Sequence, residues 1–557
     1  ITADAATIGD TVTLIKDGAF GLSDQIGDLT IESGGTVTHS ARLEAGLVLD
    51  VTGTLDIQTG GSIDVTGMGL RGGNNGSAFG GDGEAYDQSG TIISAGNYAA
   101  PRGAGGSYGG RGGNGSGGVA SNEPYDAAEQ AQYLGSGGGG GYYGHTGGHG
   151  GGRVTITAGT MLLNGTLQAS GTAAHADGGC GSGGGVSISV GTLSGTGTLE
   201  AKGVKQWDGF SGSGGGGRIA ISYDTWSPQE IVISARGGAG SQSASAGSIY
   251  LKDNAETYGD LIIDNGDVSS DLTTPLRTGE TTFRELIIRN QGRLELVYAD
   301  VPSLSLIEPL PLTSDGELIV GTDVTMLLTT ADVQGGAVLT LETDSVWDAD
   351  QIHIDGGTLD TNIDLDYPTG GDFLLTGSGT INILNNTTLT LPYFDPTNIS
   401  SGTVNLPAGS TLSITADAAT VGDTVTLIKD GSFGLSDQIS DLTIESGGTV
   451  THSARLEAGL VLDVTGTLDI QAGGSIDVSG MGLRGGNNGS AFGDSGEAYD
   501  AGGAIVSAGN YSFSAGAGAS YGGRGGTASS GVPSNEPYGA LEQAQYLGSG
   551  GGGGGYG

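Results

Sequence analysis

The sequence predicts an all-β protein, a parallel β-helix (β-solenoid) with Gly-rich loop insertions, organised as a tandem repeat of about 413 residues. Three observations lead to this fold class. A long segment recurs almost unchanged along the chain, which is the signature of a repeat architecture. Short runs alternate apolar and polar residues, as half-buried strands do. Tight Asn-Gly or Asp-Gly hairpin turns, the signal of antiparallel pairing, are rare between these runs.

The long repeat covers residues 1–144, which recur without a gap as residues 414–557 with roughly five in six positions identical. Both ends of the sequence, Ile1 and Gly557, fall inside this repeat. We therefore expect either a window onto a longer covalent tandem array or a complete subunit that assembles with itself end to end. Either geometry is head-to-tail and does not close, and such contacts generate filaments.

A shorter period of about 32 residues separates the Gly runs at 150–152, 183–185 and 215–217, each of which opens a strand-like segment. Alternation predicts the core of the first copy: Leu55, Ile57, Ile63 and Val65 inside, with Asp56 and Asp64 outside. The second copy should repeat this arrangement with its own four apolar residues, which are Leu468, Ile470, Ile476 and Val478.

Six segments follow from these patterns. Residues 1–70 are solenoid rungs, 71–152 a Gly/Tyr-rich insertion, 153–223 rungs with Gly-rich loops, 224–413 further rungs, 414–483 a repeat of 1–70, and 484–557 a truncated repeat of the insertion. One helix-like stretch of about two turns is expected at Asp126–Leu134, with its copy at Gly539–Leu547.

The Gly-rich insertion is expected to be ordered, with extended glycine chains packed beside the rungs, because a flexible linker has no need of recurring aromatic residues. The alternative is a flexible Gly linker. The aromatic residues expected to pin the chains are Tyr86, Tyr98, Tyr108, Tyr125, Tyr133, Tyr142 and Tyr143.

Composition excludes several function classes. Acidic residues outnumber basic ones 61 to 19, for a formal net charge of −42, which opposes nucleic-acid binding. No run of about 18 apolar residues occurs, so no membrane span is expected. The single cysteine, Cys180, cannot form an internal disulfide; a small buried or loop thiol is expected, with an intermolecular bridge as the alternative.

The run Gly214-Gly215-Gly216-Gly217-Arg218-Ile219-Ala220-Ile221, with Gly-Thr-Leu-X-Ala-X-Gly units between Gly runs, resembles the Gly-rich tandem repeats of parallel β-helix surface proteins of bacteria. These are giant adhesins and filamentous haemagglutinin-like exoproteins. The resemblance covers Thr54 to about Tyr223 and Thr467 to Gly557. It implies an extracellular or cell-surface location and transfers no catalytic residue.

Candidate sites are few. The densest acidic stretch contains the calcium candidates Asp344, Asp348, Asp350 and Asp355, followed by Asp360, Asp364 and Asp366. Carboxylates suit Ca²⁺, although plain solubilising charge is the competing interpretation and catalysis a third. Other groups considered are the pair His145 and His149, and the acidic loop of Asp82, Glu84 and Asp87 with its copy Asp494, Glu497 and Asp500. No catalytic or cofactor-binding residue is assigned.

The sequence therefore predicts a non-enzymatic structural protein that forms an extracellular filament, sheath or matrix fibre. The alternatives are the stalk of a bacterial surface adhesin and, third, a carbohydrate-active β-helix enzyme. The expected partner is the chain itself, through end-to-end assembly or tandem continuation, with cell-surface or matrix polysaccharide as a further candidate.

Overall fold

The computed structural model describes residues 4–20, 24–98, 102–207, 209–227, 231–369, 372–513 and 515–554. Within these ranges the protein is all-β, and its one helical element is the three-residue 3₁₀ turn Tyr142–Gly144. The chain divides into two compact units, residues 1–352 and 353–557. Ile1 and Gly557, the two ends of the sequence that fall inside the repeat, lie outside the described residues. No helix within the described ranges has the length and apolar character needed to cross a membrane.

The first unit is built from short strands. They are β1 (Ala5–Ile8), β2 (Thr13–Ile15), β3 (Gln25–Ile26), β4 (Asp28–Ile31), β5 (Thr36–Thr38), β6 (Leu47–Ile57), β7 (Ser62–Asp64), β8 (Glu84–Tyr86), β9 (Ile92–Ser94), β10 (Arg153–Leu163), β11 (Thr166–Gln168), β12 (Gly185–Ser194), β13 (Thr198–Glu200), β14 (Arg218–Trp226), β15 (Val232–Ser234), β16 (Ser248–Asp253), β17 (Asp260–Asp264), β18 (Thr274–Pro275), β19 (Thr282–Phe283), β20 (Glu285–Arg289), β21 (Arg293–Leu296), β22 (Ser303–Leu306), β23 (Leu310–Leu312), β24 (Glu317–Val320), β25 (Thr325–Gln334) and β26 (Val338–Leu341). Strand β27 (Val346–Asp355) includes the boundary between the units.

The second unit has the same texture. Its strands are β28 (Thr358–Thr361), β29 (Leu365–Asp366), β30 (Phe373–Thr376), β31 (Thr380–Ile383), β32 (Thr388–Leu391), β33 (Gly402–Leu406), β34 (Thr411–Ile414), β35 (Ala418–Val421), β36 (Val425–Lys429), β37 (Ser432–Phe433), β38 (Gln438–Ile439), β39 (Asp441–Ile444), β40 (Thr449–Thr451), β41 (Asp463–Val464), β42 (Leu468–Ile470), β43 (Ser475–Ile476), β44 (Glu497–Tyr499), β45 (Ile505–Ser507), β46 (Tyr511–Ser512) and β47 (Ala515–Gly516).

Strand pairing in the first unit is mainly parallel. Strand β6 pairs with β10, β10 with β12, β12 with β14, and β14 with β16. This register stacks one buried apolar residue of each strand on the next, in the order Leu47, Val154, Val186, Ile219 and Ile249. Because side chains alternate between the two faces, a slip of one residue would turn every one of these residues outward. The pairing of β16 with β17 is antiparallel and interrupts the pattern.

A second sheet of the first unit runs in the order β15-β13-β11-β7-β5-β2 and is also parallel. Its apolar residues join those of the first sheet in one core cluster. Leu55, Ile57, Ile63 and Val65 are fully buried there, which confirms the prediction for the first copy. Asp56 and Asp64 are half-buried rather than exposed, because strands flank them on both sides: Asp56, for example, lies between Thr30 and Leu162 in the sheet register.

The main sheet of the second unit runs in the order β28-β31-β33-β36-β40-β43, again in parallel. Its register stacks Leu359, Ile381, Val404, Leu427 and Val450, all of which are buried. The stacking of like residues on like faces is the same device as in the first unit, with shorter connections between successive strands.

Two sequence expectations are wrong. The apolar residues of the second copy are between 36% and 46% exposed, and these are Leu468, Ile470, Ile476 and Val478. The physical reason is that each of their strands has a neighbour on one edge: β42 pairs with β39, and β43 pairs with β40. In the first copy the matching strands β6 and β7 also pair on their other edge, with β10 and β11 respectively.

The expected helix at Asp126–Leu134 is a series of turns, as is its copy at Gly539–Leu547. Asp126 and Ala131 have positive φ values of 69° and 47°, which an α-helix cannot accommodate. The carboxylate of Asp126 accepts hydrogen bonds from the Tyr108 hydroxyl and from the backbone N–H of Gln132, so side-chain contacts take the place of helical ones.

Candidate functional surface on the glycine-rich segments

The Gly-rich parts of the first unit pack together as extended segments that are neither helix nor sheet. We call this assembly the glycine bundle and define it by residues 69–74, 81–84, 103–106, 135–141, 147–152, 178–185 and 212–217. Most of these glycines are buried. The insertion is therefore ordered, as the sequence predicts, and does not have the character of a linker.

Hydrogen bonding around residues 135–141 shows how the glycine bundle is built. The N–H groups of this segment reach four neighbouring segments, and in two cases donors three residues apart reach the same segment. Gly135 and Gly138 donate to Gly151 and Gly148, Gly137 and Gly140 donate to Glu84 and Gly81, and between them Ser136 donates to the Ser182 hydroxyl and Gly139 to Ala104. A three-residue turn without internal hydrogen bonds is the geometry of a polyproline II helix, so the segment is the centre of a bundle of such chains.

Glycine is required in this bundle because the chains approach too closely for a side chain. A Cβ atom added to Gly138 would lie 2.0 Å from the carbonyl oxygen of Gly179, and one added to Gly135 would lie 2.3 Å from that of Gly183. The hydrogen bonds between backbones offset the conformational entropy that glycine loses on ordering.

A cluster of tyrosines packs against the glycine bundle near the strands, and we call Tyr86, Tyr108, Tyr125 and Tyr133 the tyrosine cluster. The ring centroids of Tyr108 and Tyr125 are 4.9 Å apart, and those of Tyr86 and Tyr133 are 4.8 Å apart. Leu70 and Leu134 complete its apolar surroundings. The Tyr125 hydroxyl donates to the Leu134 carbonyl at 2.6 Å. Burial raises the pKa of Tyr108 and Tyr125 well above that of an exposed tyrosine.

Two arginines anchor this end of the bundle to the strand region. Arg42 Nε lies 2.8 Å from Oε2 of Glu84, whose carboxylate is fully buried. The buried Arg218 donates to the Tyr125 carbonyl, and its guanidinium lies 5.8 Å from the ring centroid of Tyr108. Because each arginine joins a strand or its neighbouring turn to the insertion, the glycine bundle is held at a fixed place on the sheet.

The other end of the bundle carries exposed aromatic rings. We call this group the aromatic tip, and it consists of Phe79, Tyr98, Tyr142, Tyr143, Trp207 and Phe210. Five of these residues lie in turns or bends, and Tyr98 follows strand β9. Tyr143 is 86% exposed and Trp207 is 78% exposed. The seven tyrosines predicted to pin the insertion therefore divide into the tyrosine cluster, which is largely buried, and Tyr98, Tyr142 and Tyr143, which are exposed, although the ring of Tyr98 also lies against Gly81.

Side-chain contacts connect Tyr143 with Phe210 in the aromatic tip. The rings of Tyr143 and His145 are 6.4 Å apart, and His145 in turn lies 4.8 Å from the ring of His175. Asp177 accepts from His145 Nδ1 at 3.2 Å and forms an ion pair with Arg102. The Arg102 guanidinium lies 4.9 Å from the centroid of the Phe210 ring, and Lys205 Nζ lies 4.2 Å from that of Trp207.

Backbone geometry at Tyr143 departs from the usual range. This residue adopts φ 56° and ψ 21°, in the left-handed region that bulky residues rarely occupy. Strain of this kind costs on the order of 1 kcal/mol and concentrates at sites where a side chain must be presented in a particular direction. At Tyr143 the left-handed conformation directs the tyrosine ring into solvent.

The calcium candidates lie apart from this surface in sequence, and the structure gives them separate partners. Asp344, Asp348 and Asp350 are exposed in the first unit. In the second unit Asp355 accepts from the Thr376 hydroxyl and Asp360 from the Asn382 amide. Asp364 accepts from the N–H of Thr388, and Asp366 ends strand β29. Across the described ranges no three His, Cys, Asp or Glu side chains converge as metal ligands would.

His145 and His149 do not form a joint site. His145 faces Asp177, whereas His149 accepts from the N–H of Gly72 and pairs with the Asn75 amide. Burial lowers the pKa of His149. Cys180 is buried inside the glycine bundle, as expected for a structural thiol, and its Sγ lies 3.6 Å from the Lys205 carbonyl oxygen.

The acidic loop is structural in both copies. Asp82 accepts from the N–H of Tyr98 and the hydroxyl of Ser94, and Asp87 caps the turn at Ser89. In the second copy Glu497 pairs with Arg455 at 2.9 Å and Asp500 caps a turn at Gly502. Asp494 occupies the position equivalent to Gly81 rather than Asp82, which accounts for the shifted spacing.

Sequence reasoning missed the aromatic tip, since Trp207 and Phe210 were not singled out. The available signal was an aromatic residue in the middle of a segment flanked by two Gly runs, where the chain must turn. The observed surface combines exposed rings with histidine, carboxylate and guanidinium groups on a rigid backbone support. Comparison with protein-family models, curated proteins and solved structures found no match to this chain.

Proposed function

We propose that this protein is a structural fibre component whose parallel strands wind as a β-solenoid and which builds an extracellular filament, sheath or matrix strand. The observation that carries the proposal is the succession of parallel strand pairs with like residues in register, from Leu47 through Val154, Val186 and Ile219 to Ile249. A stack of this kind can be extended by adding strands at an edge, because edge strands present unpaired N–H and C=O groups.

The long repeat supports the same proposal. A unit that recurs at an offset of 413 residues with its local contacts retained suits an elongated array, in which every repeat performs the same mechanical task. The resemblance to Gly-rich surface proteins of bacteria agrees with an extracellular location. The net charge of −42 gives such a fibre a repulsive surface that limits lateral clumping.

Electron microscopy tests the proposal directly. The chain of residues 1–557, and a longer chain in which a second copy of residues 145–557 follows Gly557 and so keeps the offset of 413 residues, would be imaged by negative staining, and aligned material examined by fibre diffraction. We expect thin unbranched rods that lengthen with the number of repeats, with a meridional spacing of about 4.8 Å from the stacked strands. Compact particles whose dimensions do not grow along one axis would overturn the proposal.

An edge-strand variant sharpens this test. Ile470 lies in strand β42 and is 46% exposed, so Ile470→Lys places a charge on an accessible strand, a device that blocks edge pairing. We expect end-to-end association of molecules, measured by analytical ultracentrifugation, to fall. Ile307→Lys, at an equally exposed apolar residue outside any strand, is the matched control and should leave association unchanged.

A further inference from the structure

We propose that the aromatic tip is a polysaccharide-binding surface, on which sugar rings stack against exposed aromatic side chains. The six rings of the tip lie at or near the ends of extended segments of the glycine bundle, and those of Tyr143 and Phe210 are connected through His145, Asp177 and Arg102. Binding requires only one copy of the surface. It therefore goes beyond the fibre role and does not depend on assembly.

The rings are held as a prepared surface and not as a loose loop. The hydrogen bonds of residues 135–141 to four neighbouring segments fix the support from which Tyr142 and Tyr143 project. Tyr143 is additionally held in a left-handed conformation. Lys205 lies over the ring of Trp207, which restrains that side chain while leaving it 78% exposed. Rigid aromatic residues lose little conformational entropy on binding, which favours their use in recognition.

Sugar is the ligand class that matches this mixture of groups. A pyranose ring has an apolar C–H face that packs on an aromatic ring, and hydroxyl groups at its edge that need polar partners. The tip offers both, since Asp177, His145 and Arg102 lie between the aromatic side chains. A nucleic acid is disfavoured by the net charge of −42. A protein partner would favour a contiguous apolar core, whereas here charged groups separate the rings.

Affinity electrophoresis of the monomeric protein in native gels tests the inference. The gels would contain galactomannan or hydroxyethylcellulose as neutral probes, and alginate or polygalacturonate as acidic probes. We expect retardation by at least one of the four. The neutral and acidic arms distinguish ring stacking alone from stacking assisted by Arg102 and Lys205, and salt should weaken only the latter.

Tyr143→Ala and Trp207→Ala should each weaken binding about tenfold, the loss typical of a stacked aromatic contact. Tyr298→Ala is the matched control, because Tyr298 is an exposed tyrosine of the same unit outside the glycine bundle, and it should bind like the original protein. Absence of retardation in all four gels would overturn the inference, as would equal effects of the tip and control substitutions. Circular dichroism of each variant confirms that the fold is kept. Because monomers are assayed, the result for polysaccharide binding is independent of the result for fibre formation.

Discussion

The two copies of the long repeat have nearly the same sequence and differ in which residues they bury. Ile57 is fully buried in the first copy, whereas its equivalent Ile470 is 46% exposed in the second. The first is covered on both edges of its strand, by β4 and by β10, and the second on one edge by β39. Burial in this fold therefore depends on a neighbouring strand that comes from a distant part of the sequence.

Several contacts within each copy are the same in both. The buried glutamate keeps its arginine partner, the central tyrosine keeps its hydrogen bond to a leucine carbonyl, and one asparagine joins the same two glycine segments. These contacts are Arg42–Glu84 and Arg455–Glu497, Tyr125–Leu134 and Tyr538–Leu547, and Asn97–Gly83 and Asn510–Gly496. The sequence of a repeat therefore specifies the contacts within that copy, whereas the burial of its strands depends on neighbouring strands.

The largest difference between the copies should come from a buried charge. Ile57→Asp places a carboxylate without a partner in the core, which we expect to cost more than about 4 kcal/mol of local stability. Ile470→Asp leaves the carboxylate in water and should cost less than about 1 kcal/mol. Hydrogen exchange read by mass spectrometry measures both, because Thr59 and Ala472 give the equivalent peptides different masses. Equal costs would contradict the difference in coverage.

A smaller effect, the same in both copies, is expected at the arginine–glutamate pair. Arg42→Met and Arg455→Met each leave a fully buried carboxylate without its cation, and we expect each to cost about 3 kcal/mol. Hydrogen exchange of the segments around Glu84 and Glu497 reports the loss. Arg289→Met is the control, because its partner Asp264 is itself partly exposed and the pair is a surface one. Unequal losses in the two copies would show that distant neighbours also influence this local contact.

The distinction between local contacts and burial by neighbouring strands also explains what the sequence could predict. Alternation placed Leu55 and Ile63 in the core, because period two is a property of the strand itself. The recurring tyrosines correctly indicated packing of the Gly-rich insertion. The exposure of Leu468 could not be read from its surroundings in the sequence, since they match those of Leu55. The burial of this residue depends on which strands pair with its own, and local sequence patterns do not predict that pairing.

The mistaken helix at Asp126–Leu134 has a different origin. Ala, Glu, Gln and Leu give this stretch a strong helical propensity, and propensity is a weak guide when tertiary contacts compete. Asp126 and its copy Gly539 both adopt a left-handed conformation, and in the first copy the Tyr108 hydroxyl, from a segment 18 residues earlier, donates to the Asp126 carboxylate. The aromatic tip was missed for a similar reason: Tyr143 and Trp207 come together through the glycine bundle and not through sequence spacing.

Glycine-to-alanine substitutions should change the stability of the two copies by different, more moderate amounts. Gly138→Ala would place its Cβ 2.0 Å from the Gly179 carbonyl oxygen, so the bundle must shift, at a cost of about 2 kcal/mol. The equivalent Gly551→Ala meets its nearest atom, the Ala517 carbonyl oxygen, at 3.7 Å. That substitution should be neutral or slightly stabilising, because alanine reduces the entropy of the unfolded chain. Thermal unfolding of the two variants measures the difference, and a loss of stability in Gly551→Ala would contradict it.

The smallest effect concerns alkaline pH. Burial raises the pKa of Tyr125 well above its ordinary value, and that of the less buried Tyr538 to about 12. An unfolded tyrosine releases its proton near pH 10, whereas the folded one keeps it, so the free energy of unfolding must fall as pH rises above about 10. For Tyr125 the fall is about 1.4 kcal/mol for each pH unit above that point.

Urea unfolding at about pH 8 and about pH 12.5, followed by the absorbance of tyrosinate, measures this loss for the original protein and for Tyr125→Phe and Tyr538→Phe. The higher pH lies above the folded pKa of Tyr538, so that the Tyr538 hydroxyl ionises in the folded state as well, whereas that of Tyr125 does not. The relevant quantity is the change between the two pH values, because removal of either hydroxyl also removes a hydrogen bond to a leucine carbonyl at both of them. Tyr125→Phe should reduce the alkaline loss more than Tyr538→Phe, since the first ring is fully enclosed by the tyrosine cluster and the bundle. Equal reductions in the two variants would mean that the second copy is covered as completely as the first, and the difference between the copies would no longer hold.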